Sequence, residues 1–157
     1  MMTYVQLYAW VRRNAQHWLD LCGLTNEEQF CQFCYERHIT TVTLDCGVVL
    51  CEVSHDGLTA QIHPLITDRA AFFDKERALG YFGGICSSLG VERLEAHVLE
   101  NSGKALRRVL KYLGFTHEGT LRCAARNMLL PGEPLISIEI WSILRLEILE
   151  VKSGRTD

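Results

Sequence analysis

The chain has 157 residues, of which 48% are hydrophobic and 22% are charged, a balance typical of one globular domain. The 16 Lys and Arg against 19 Asp and Glu give a formal net charge of −3, which argues against a nucleic-acid-binding surface. No stretch approaches the run of about twenty apolar residues that spans a bilayer, and the first residues lack the pattern of a secretory signal. We therefore expect a soluble, cytoplasmic protein that binds neither nucleic acid nor membrane.

Two helices are predicted at the start of the chain. A helical stripe of apolar residues runs over residues 11–22 and stops at Gly23, a residue suited to a left-handed cap. The second helix is expected to begin at Thr25, whose hydroxyl would form a capping box with Glu28, and to end near His38.

Seven cysteines are many for this length, but an odd number without an export signal favours reduced thiols over a disulfide framework. The spacing of Cys31, Cys34 and His38, with Cys46 as a fourth ligand, would suit a zinc ion. The favoured interpretation is that Phe30 and Cys34 lie on the apolar face of the second helix, where cysteine packs as a small hydrophobe. No metal is therefore expected.

Three short β-rich runs follow and predict an antiparallel meander, because turn residues separate them. They lie at residues 40–44, 48–53 and 58–63. From Thr67 to Gly90 the apolar residues recur at helical spacing, which predicts one long amphipathic helix. The alternation over residues 91–99 then predicts a strand beside the meander, and the whole unit is a β-α-β crossover.

A shorter helix ending at Gly114 and two more strands, near residues 115–123 and 136–144, complete the pattern. The expected fold is therefore α/β in the α+β sense, with a mixed, mostly antiparallel sheet and helices on both faces. Residues 1–149 are expected to form one domain, and residues 150–157 a frayed tail.

A resemblance to a known family is carried by residues 92–122, ERLEAHVLENSGKALRRVLKYLGFTHEGTLR, together with this order of elements. The segment resembles the GCN5-related N-acetyltransferases, in particular the branch that acetylates the N-termini of ribosomal and other proteins. The matching pieces are the strand before Glu100 and Asn101, the helix ending in Leu113-Gly114-Phe115, Glu118-Gly119 with Arg122, and the last strand SIEIWSIL.

The resemblance implies that acetyl-CoA is the cosubstrate. In that family its pantetheine arm pairs with the splayed edge of a strand, here residues 58–63, and its diphosphate lies on main-chain N–H groups of the next turn, here residues 65–72. The residues that would bind the cosubstrate are Ile62, His63, Leu65, Arg69, Ala70, Ala71, Phe72 and Asn101.

That turn departs from the family pattern, because Ala70 and Phe72 stand where the family usually has glycines. A phenylalanine there would crowd a phosphate, and its alternative role is a core side chain, which we favour. Arg69 could contact a phosphate, whereas the carboxylate of Asp68 in the first helical turn would repel one.

The chemistry implied by the resemblance needs a base for the amine and an acid for the leaving thiolate. The positions at which relatives carry a tyrosine or serine acid are Leu110 and Leu106 here, so the usual acid is missing. Candidate catalytic residues are His63, placed at the end of its strand, Glu52 and Glu100.

Three functional interpretations follow. The first is an acetyl-CoA-dependent N-acetyltransferase acting by direct attack of a primary amine, whether a protein N-terminus, a lysine or a small molecule. The second is a protein that keeps this fold without catalysis, as an interaction or structural module of the kind that some bacteriophages carry. A zinc-stabilised binding domain is the third. The sequence is compatible with a homodimer as well as with a monomer.

Overall fold

The computed structural model describes residues 2–126, 131–132 and 134–152. Residues 151 and 152 are described by their main chain alone. Within these ranges the helices are α1 Tyr4–Asn14, α2 Gln16–Leu21, α3 Glu27–Glu36, α4 Arg69–Phe73, α5 Lys75–Leu89, α6 Lys104–Tyr112 and α7 Arg145–Lys152. The strands are β1 Thr40–Leu44, β2 Gly47–Val53, β3 Thr59–Ile66, β4 Arg93–Leu99, β5 Thr116–Arg126 and β6 Leu135–Leu144. No helix in the described ranges is both long enough and apolar enough to cross a membrane.

One sheet contains the six strands in the order β1-β2-β3-β4-β6-β5. Its pairs are antiparallel except for β3 with β4, which run parallel and are joined by the crossover through α4 and α5. Parallel neighbours need such a crossover, because a tight hairpin can join only antiparallel strands. The mixed, mostly antiparallel sheet with a central β-α-β unit is therefore confirmed.

Helices cover both faces of the sheet, as predicted. Side chains of β2 alternate between them: Val48 and Leu50 pack in a core with α1 to α3, whereas Val49 and Cys51 pack in a second core with α4 to α7. Because both faces are buried at β2, this strand lacks the polar alternation of a half-exposed strand.

The N-terminal helices differ in two details from the prediction. The chain breaks at Ala15, with φ −146° and ψ 40°, so the expected first helix is divided into α1 and α2. The capping box at Thr25 and Glu28 is wrong, since Asn26 caps α3 by accepting a hydrogen bond from the Gln29 N–H at 2.9 Å. Asparagine is at least as good an N-cap as threonine, and its side chain starts the helix one residue later.

The long helix predicted from Thr67 to Gly90 is in fact two helices. Asp74 lies between them in an extended conformation, and its carboxylate accepts a hydrogen bond from the Arg77 N–H at 2.9 Å. Asp68 caps the shorter α4 in the same way. Gly90 does end α5 with a left-handed φ of 71°, as expected.

The C-terminal strands lie where the alternation predicts them, but α7 was not predicted. Its Ile148 is fully buried in the core of the α4 to α7 face, which explains why a short segment with exposed Leu146 and Leu149 stays helical. The helix extends into the segment that was expected to fray, and residues 153–157 of that segment lie outside the described residues.

Candidate functional site

The two central strands separate along their length. Residues 59–61 of β3 pair with residues 93–95 of β4, and no pairing joins the two described strands after that point. β3 nevertheless continues to Ile66 and β4 to Leu99, so their edges diverge. The divergence opens a V-shaped gap in the middle of the sheet, which we call the cleft.

The cleft holds a cavity of about 400 Å³, which is within the range of small-molecule sites. Its walls are mainly apolar, from Ile62 and Pro64 on β3, Ala96 and Val98 on β4, and Val109 on α6. A ligand with an apolar or amide-containing chain therefore fits this space better than a compact charged one.

The cleft passes from one face of the sheet to the other. Phe72, Phe82 and Leu110 line it among the residues of the α4 to α7 core, and Trp18 of α2 with His63 lines it on the opposite face. The rings of Trp18 and His63 stand 6.0 Å apart between centroids in an edge-on contact. Two molecules could therefore meet inside the cleft from opposite sides.

His63 lies in the middle of β3, and its predicted place at the strand end is wrong. Burial lowers the pKa of this imidazole to about 4, an effect that Glu52 partly opposes and His97 and Arg37 reinforce. Its Nε2 is 3.2 Å from the side-chain nitrogen of Gln61. The ring is therefore neutral at pH 7, and since an amide nitrogen can only donate, its Nε2 lone pair accepts a hydrogen bond from Gln61.

A second histidine lines the cleft from the neighbouring strand. His97 of β4 has its Nε2 3.3 Å from a carboxylate oxygen of Glu95, and the two side chains share one face. Local sequence pattern alone does not distinguish this pair from the polar side of a strand. The missed signal is that parallel pairing of Gln61 with Glu95 places His63 and His97 at equivalent positions along their strands.

The other two predicted catalytic residues lie outside the cleft lining. Glu52 is on β2, next to β3, where it pairs with Arg37 at 3.0 Å. Glu100 follows β4 in an exposed turn, where its carbonyl accepts a hydrogen bond from Arg107 at 2.7 Å. The three candidates are thus not brought together, although Glu52 acts on His63 through its charge.

The predicted phosphate turn is shorter than expected. Leu65, assigned to the turn, belongs to β3, and its side chain is buried in the α1 to α3 core. The N–H groups of Thr67 and Asp68 both donate to the carbonyl of Cys46, at 2.9 and 3.2 Å. The Ala71 N–H donates to the carboxylate of Asp68 at 3.2 Å. Several donors proposed for a diphosphate are therefore already bonded within the protein.

Phe72 is a core side chain, as the favoured alternative predicted. It is 7% exposed, and its ring makes an edge-on contact with Phe82 at 5.9 Å between centroids. Arg69 and Ala70 at the start of α4 are exposed, and Arg69 lines the mouth of the cleft. Asn101 is also exposed, in the turn after β4.

The turn that contains Asn101 is anchored by Arg107 of α6. Its guanidinium donates to the carbonyls of Glu100 and Ser102 and forms a two-pronged pair with the carboxylate of Glu139 on β6. This pair also holds the pKa of Glu139 below its usual range, chiefly through the hydrogen bonds from Arg107. The start of α6, and with it one wall of the cleft, is fixed to the sheet by this contact.

The two leucines at the positions of the usual acids, Leu106 and Leu110, line the cleft with apolar atoms. Tyr112 is 54% exposed, and the Lys75 ammonium lies 5.6 Å from its ring centroid, outside the cleft lining. No tyrosine or serine therefore appears among the residues lining this cavity in the described part of the chain.

The residues considered for zinc are not brought together. Cys34 is buried in the core beneath α1 to α3, whereas Cys46 is buried in the core on the opposite face of the sheet. Burial raises the pKa of the Cys34 thiol to about 12. The described residues contain no group of three or more side chains that could hold a metal ion. Cys34 and Cys46 are core side chains on opposite faces of the sheet, so the described structure does not support the zinc interpretation.

The neutral state of His63 has a measurable consequence for stability. The pKa of His63 falls from 6.5 to about 4 on folding. As the pH drops, this histidine therefore binds a proton in the unfolded chain before it does so in the folded protein. Protonation of His63 leaves the unfolding free energy unchanged above pH 6.5 and lowers it toward pH 4, by about 2 to 3 kcal/mol. We expect His63→Gln to flatten the pH dependence of unfolding free energy, measured in urea, by this amount.

His55→Gln is the matched control, since His55 lies in the exposed turn between β2 and β3. An equal pH dependence in wild type and His63→Gln, with the control unchanged, would contradict the burial of a neutral imidazole at this position.

Comparisons with known proteins support the fold. No protein-family model matches the sequence, and no curated protein matches it. Among solved structures, ribosomal-protein-S5-alanine acetyltransferase from Vibrio fischeri has a TM-score of 0.62 at 13% identity, over 92% of this chain and 90% of that one. Spermidine N-acetyltransferase from Vibrio cholerae, in complex with CoA and spermine, has a TM-score of 0.61 at 16% identity, over 91% of each chain.

A third structure is the microcin C7 self-immunity acetyltransferase MccE in complex with acetyl-CoA and AMP. Its TM-score is 0.56 at 17% identity, over 90% of this chain and 86% of that one. These similarities and the sheet topology show that the chain has the fold of the GCN5-related N-acetyltransferases.

Proposed function

We propose that the protein transfers an acetyl group from acetyl-CoA to a primary amine. The observation that carries this proposal is the open cleft between β3 and β4, which crosses the sheet and has an apolar wall. Proteins of the same fold are solved with acetyl-CoA or CoA bound, which supports a CoA thioester as the donor.

The edge of β3 suits the pantetheine arm of such a donor. The carbonyl of Leu58 accepts hydrogen bonds from the N–H groups of Glu92 and Arg93, before β4, so alternation directs the carbonyls of Ile62 and Pro64 to the same side. These two carbonyls face the cleft, where they could accept the amide N–H groups of pantetheine. Pro64 has no N–H of its own, so at its position this edge offers only an acceptor.

The acceptor amine would approach from the face that carries His63 and His97. The unprotonated amine attacks the thioester carbon, a C–N bond forms, the C–S bond breaks, and the products are an amide and a free thiol. The amine loses one proton in this reaction and the leaving thiolate gains one. The imidazole of His63 would relay it as a weak base, once its Nε2 is released from Gln61. Of the three predicted bases, the proposal retains His63 in this role, with Glu52 acting on it through its charge.

The acceptor is proposed only as a primary amine. The names of two similar proteins specify a ribosomal-protein alanine and spermidine, which makes a peptide with an N-terminal alanine and spermidine suitable first probes. The homodimer stays a prediction.

The alternative, a non-catalytic module, would not require an open cleft. Strand edges without a partner cost stability in the middle of a sheet unless something occupies or uses the gap, because buried main-chain groups need hydrogen bonds. The separation of β3 from β4 therefore favours a ligand-binding protein over a purely structural one.

Thermal unfolding with acetyl-CoA tests the proposal. At a hundredfold excess over the dissociation constant, a ligand of the folded state adds about 2.7 kcal/mol, or roughly 5 to 11 °C in Tm for a chain of this size. Release of free thiol from acetyl-CoA with each of the two probe amines tests the transfer. No shift at millimolar acetyl-CoA, together with no thiol release, would contradict the proposed function and favour the non-catalytic module.

A further inference from the structure

We infer that the protein recognises its donor through the acyl-pantetheine arm, so that its donor class is S-acyl pantetheine thioesters, of which acetyl-CoA is only one. The inference rests on the proposed function, because it concerns the donor of that same reaction. It follows from the contrast between the cleft, which is open, and the turn before α4, whose hydrogen-bond donors and charge are unsuited to a diphosphate.

The main-chain donors of the turn are mostly engaged. Thr67 and Asp68 donate to Cys46 in the turn between β1 and β2, and Ala71 donates to the Asp68 side chain. The Phe72 N–H points to the main-chain carbonyl of Asp68 at 3.4 Å. A diphosphate at this position would have to displace hydrogen bonds that the protein already makes, and each displaced group would need a new partner.

The charges at the two helix starts oppose an anion. Asp68 caps α4 and Asp74 caps α5, so a carboxylate stands at each N-terminus, where a phosphate would otherwise gain from the helix dipole. The cations nearest in sequence are Arg69, exposed at the cleft mouth, and Lys75, which lies against the ring of Tyr112. Two carboxylates therefore offset these two cations.

The side chains of the turn also disfavour a diphosphate. Close approach of a phosphate to main-chain N–H groups favours glycine, whereas Ala70 and Phe72 both carry a Cβ. The Phe72 ring packs against Phe82 in the core, so turning it away would open a gap there. The turn is thus fixed by packing as well as by hydrogen bonds.

The cleft, in contrast, retains what the arm needs. By alternation from Leu58, the carbonyls of Ile62 and Pro64 lie on its side of β3, and Ala96, Val98 and Val109 line it with apolar atoms. An acyl-pantetheine chain is uncharged and carries two amides between short apolar segments. Its binding therefore makes little use of the turn before α4.

Calorimetric titration of the full-length chain with acetyl-CoA and with S-acetylpantetheine, which lacks the phosphates and the adenosine, tests the inference. The two dissociation constants should differ by less than about tenfold, the ratio that corresponds to 1.4 kcal/mol. Acetyl-CoA binding tighter than S-acetylpantetheine by about tenfold or more would overturn the inference and leave the proposed function intact. Binding of neither ligand would overturn both.

Asp68→Asn provides the second readout, since asparagine keeps the helix cap and removes the charge. It should tighten acetyl-CoA by about threefold or more and leave S-acetylpantetheine unchanged, because only the first ligand carries phosphates. Asp74→Asn, the corresponding change at α5, shows how far the effect depends on distance. An equal response of both ligands to Asp68→Asn would count against the inference.

Discussion

Ala96→Trp is expected to abolish the stabilisation of the protein by acetyl-CoA. Ala96 lies on β4 at the wall of the cleft, and an indole at this position would fill the space between β3 and β4. Because the cavity of about 400 Å³ is empty of protein atoms, it can take the ring without breaking the sheet. We expect the roughly 5 to 11 °C shift in Tm to fall to below about 1 °C.

Ala105→Trp is the matched control, because Ala105 is exposed on α6 and the added ring would point into solvent. It should keep the full shift. The Tm of Ala96→Trp without ligand shows whether the variant is folded. A folded Ala96→Trp protein that still gains the full shift would place the donor somewhere other than the cleft.

Phe82→Ala should give the largest loss of stability. Phe82 is 1% exposed, and its ring makes edge-on contacts with Phe72 at 5.9 Å and with Phe115 at 5.4 Å between centroids. Truncating a buried phenylalanine removes its transfer free energy and leaves a cavity, at a cost of about 3 to 5 kcal/mol. Urea denaturation measures the change through the midpoint at constant slope.

Phe73→Ala supplies the comparison, since Phe73 also contacts Phe72 but is 44% exposed. Its loss should stay within about 1 kcal/mol. Equal losses for the two variants would show that the aromatic cluster of Phe72, Phe82 and Phe115 does not form the described core.

The sheet could be predicted because its strands carry strong local signals. Residues 40–44, 48–53 and 58–63 are separated by turn residues, and all three fall within β1, β2 or β3 apart from Leu58. The crossover followed from the change of apolar spacing between residues 66 and 91, since a helix between two strands implies parallel pairing.

The helix boundaries could be predicted less well, because several residues compete as caps. Asp74 lies within a stretch whose apolar residues keep helical spacing, and only its hydrogen bond to the Arg77 N–H shows that a new helix starts there. The helix α7 depends on the burial of Ile148 against the core, a tertiary contact that local spacing does not reveal.

The candidate site could be predicted only in part. His63 was selected for its predicted place at the end of its strand, but His97 was not selected, since its relation to His63 depends on the register between two strands far apart in sequence. Glu52 was also predicted to be catalytic, but it lies on β2, one strand away from the cleft, in an ion pair with Arg37. Strand pairing decides these positions, and one sequence carries little information on it.

The most direct measurement is a crystal structure of the protein with a non-reactive thioether analogue of acetyl-CoA bound. We predict density for the pantetheine arm between β3 and β4, with its amide nitrogens within hydrogen-bonding distance of the Ile62 and Pro64 carbonyls. The diphosphate is expected to make no hydrogen bond with the main-chain N–H groups of Thr67, Asp68 and Ala71, which are bonded within the protein. A cleft closed by continued pairing of the two strands, with the ligand absent or bound elsewhere, would contradict the account.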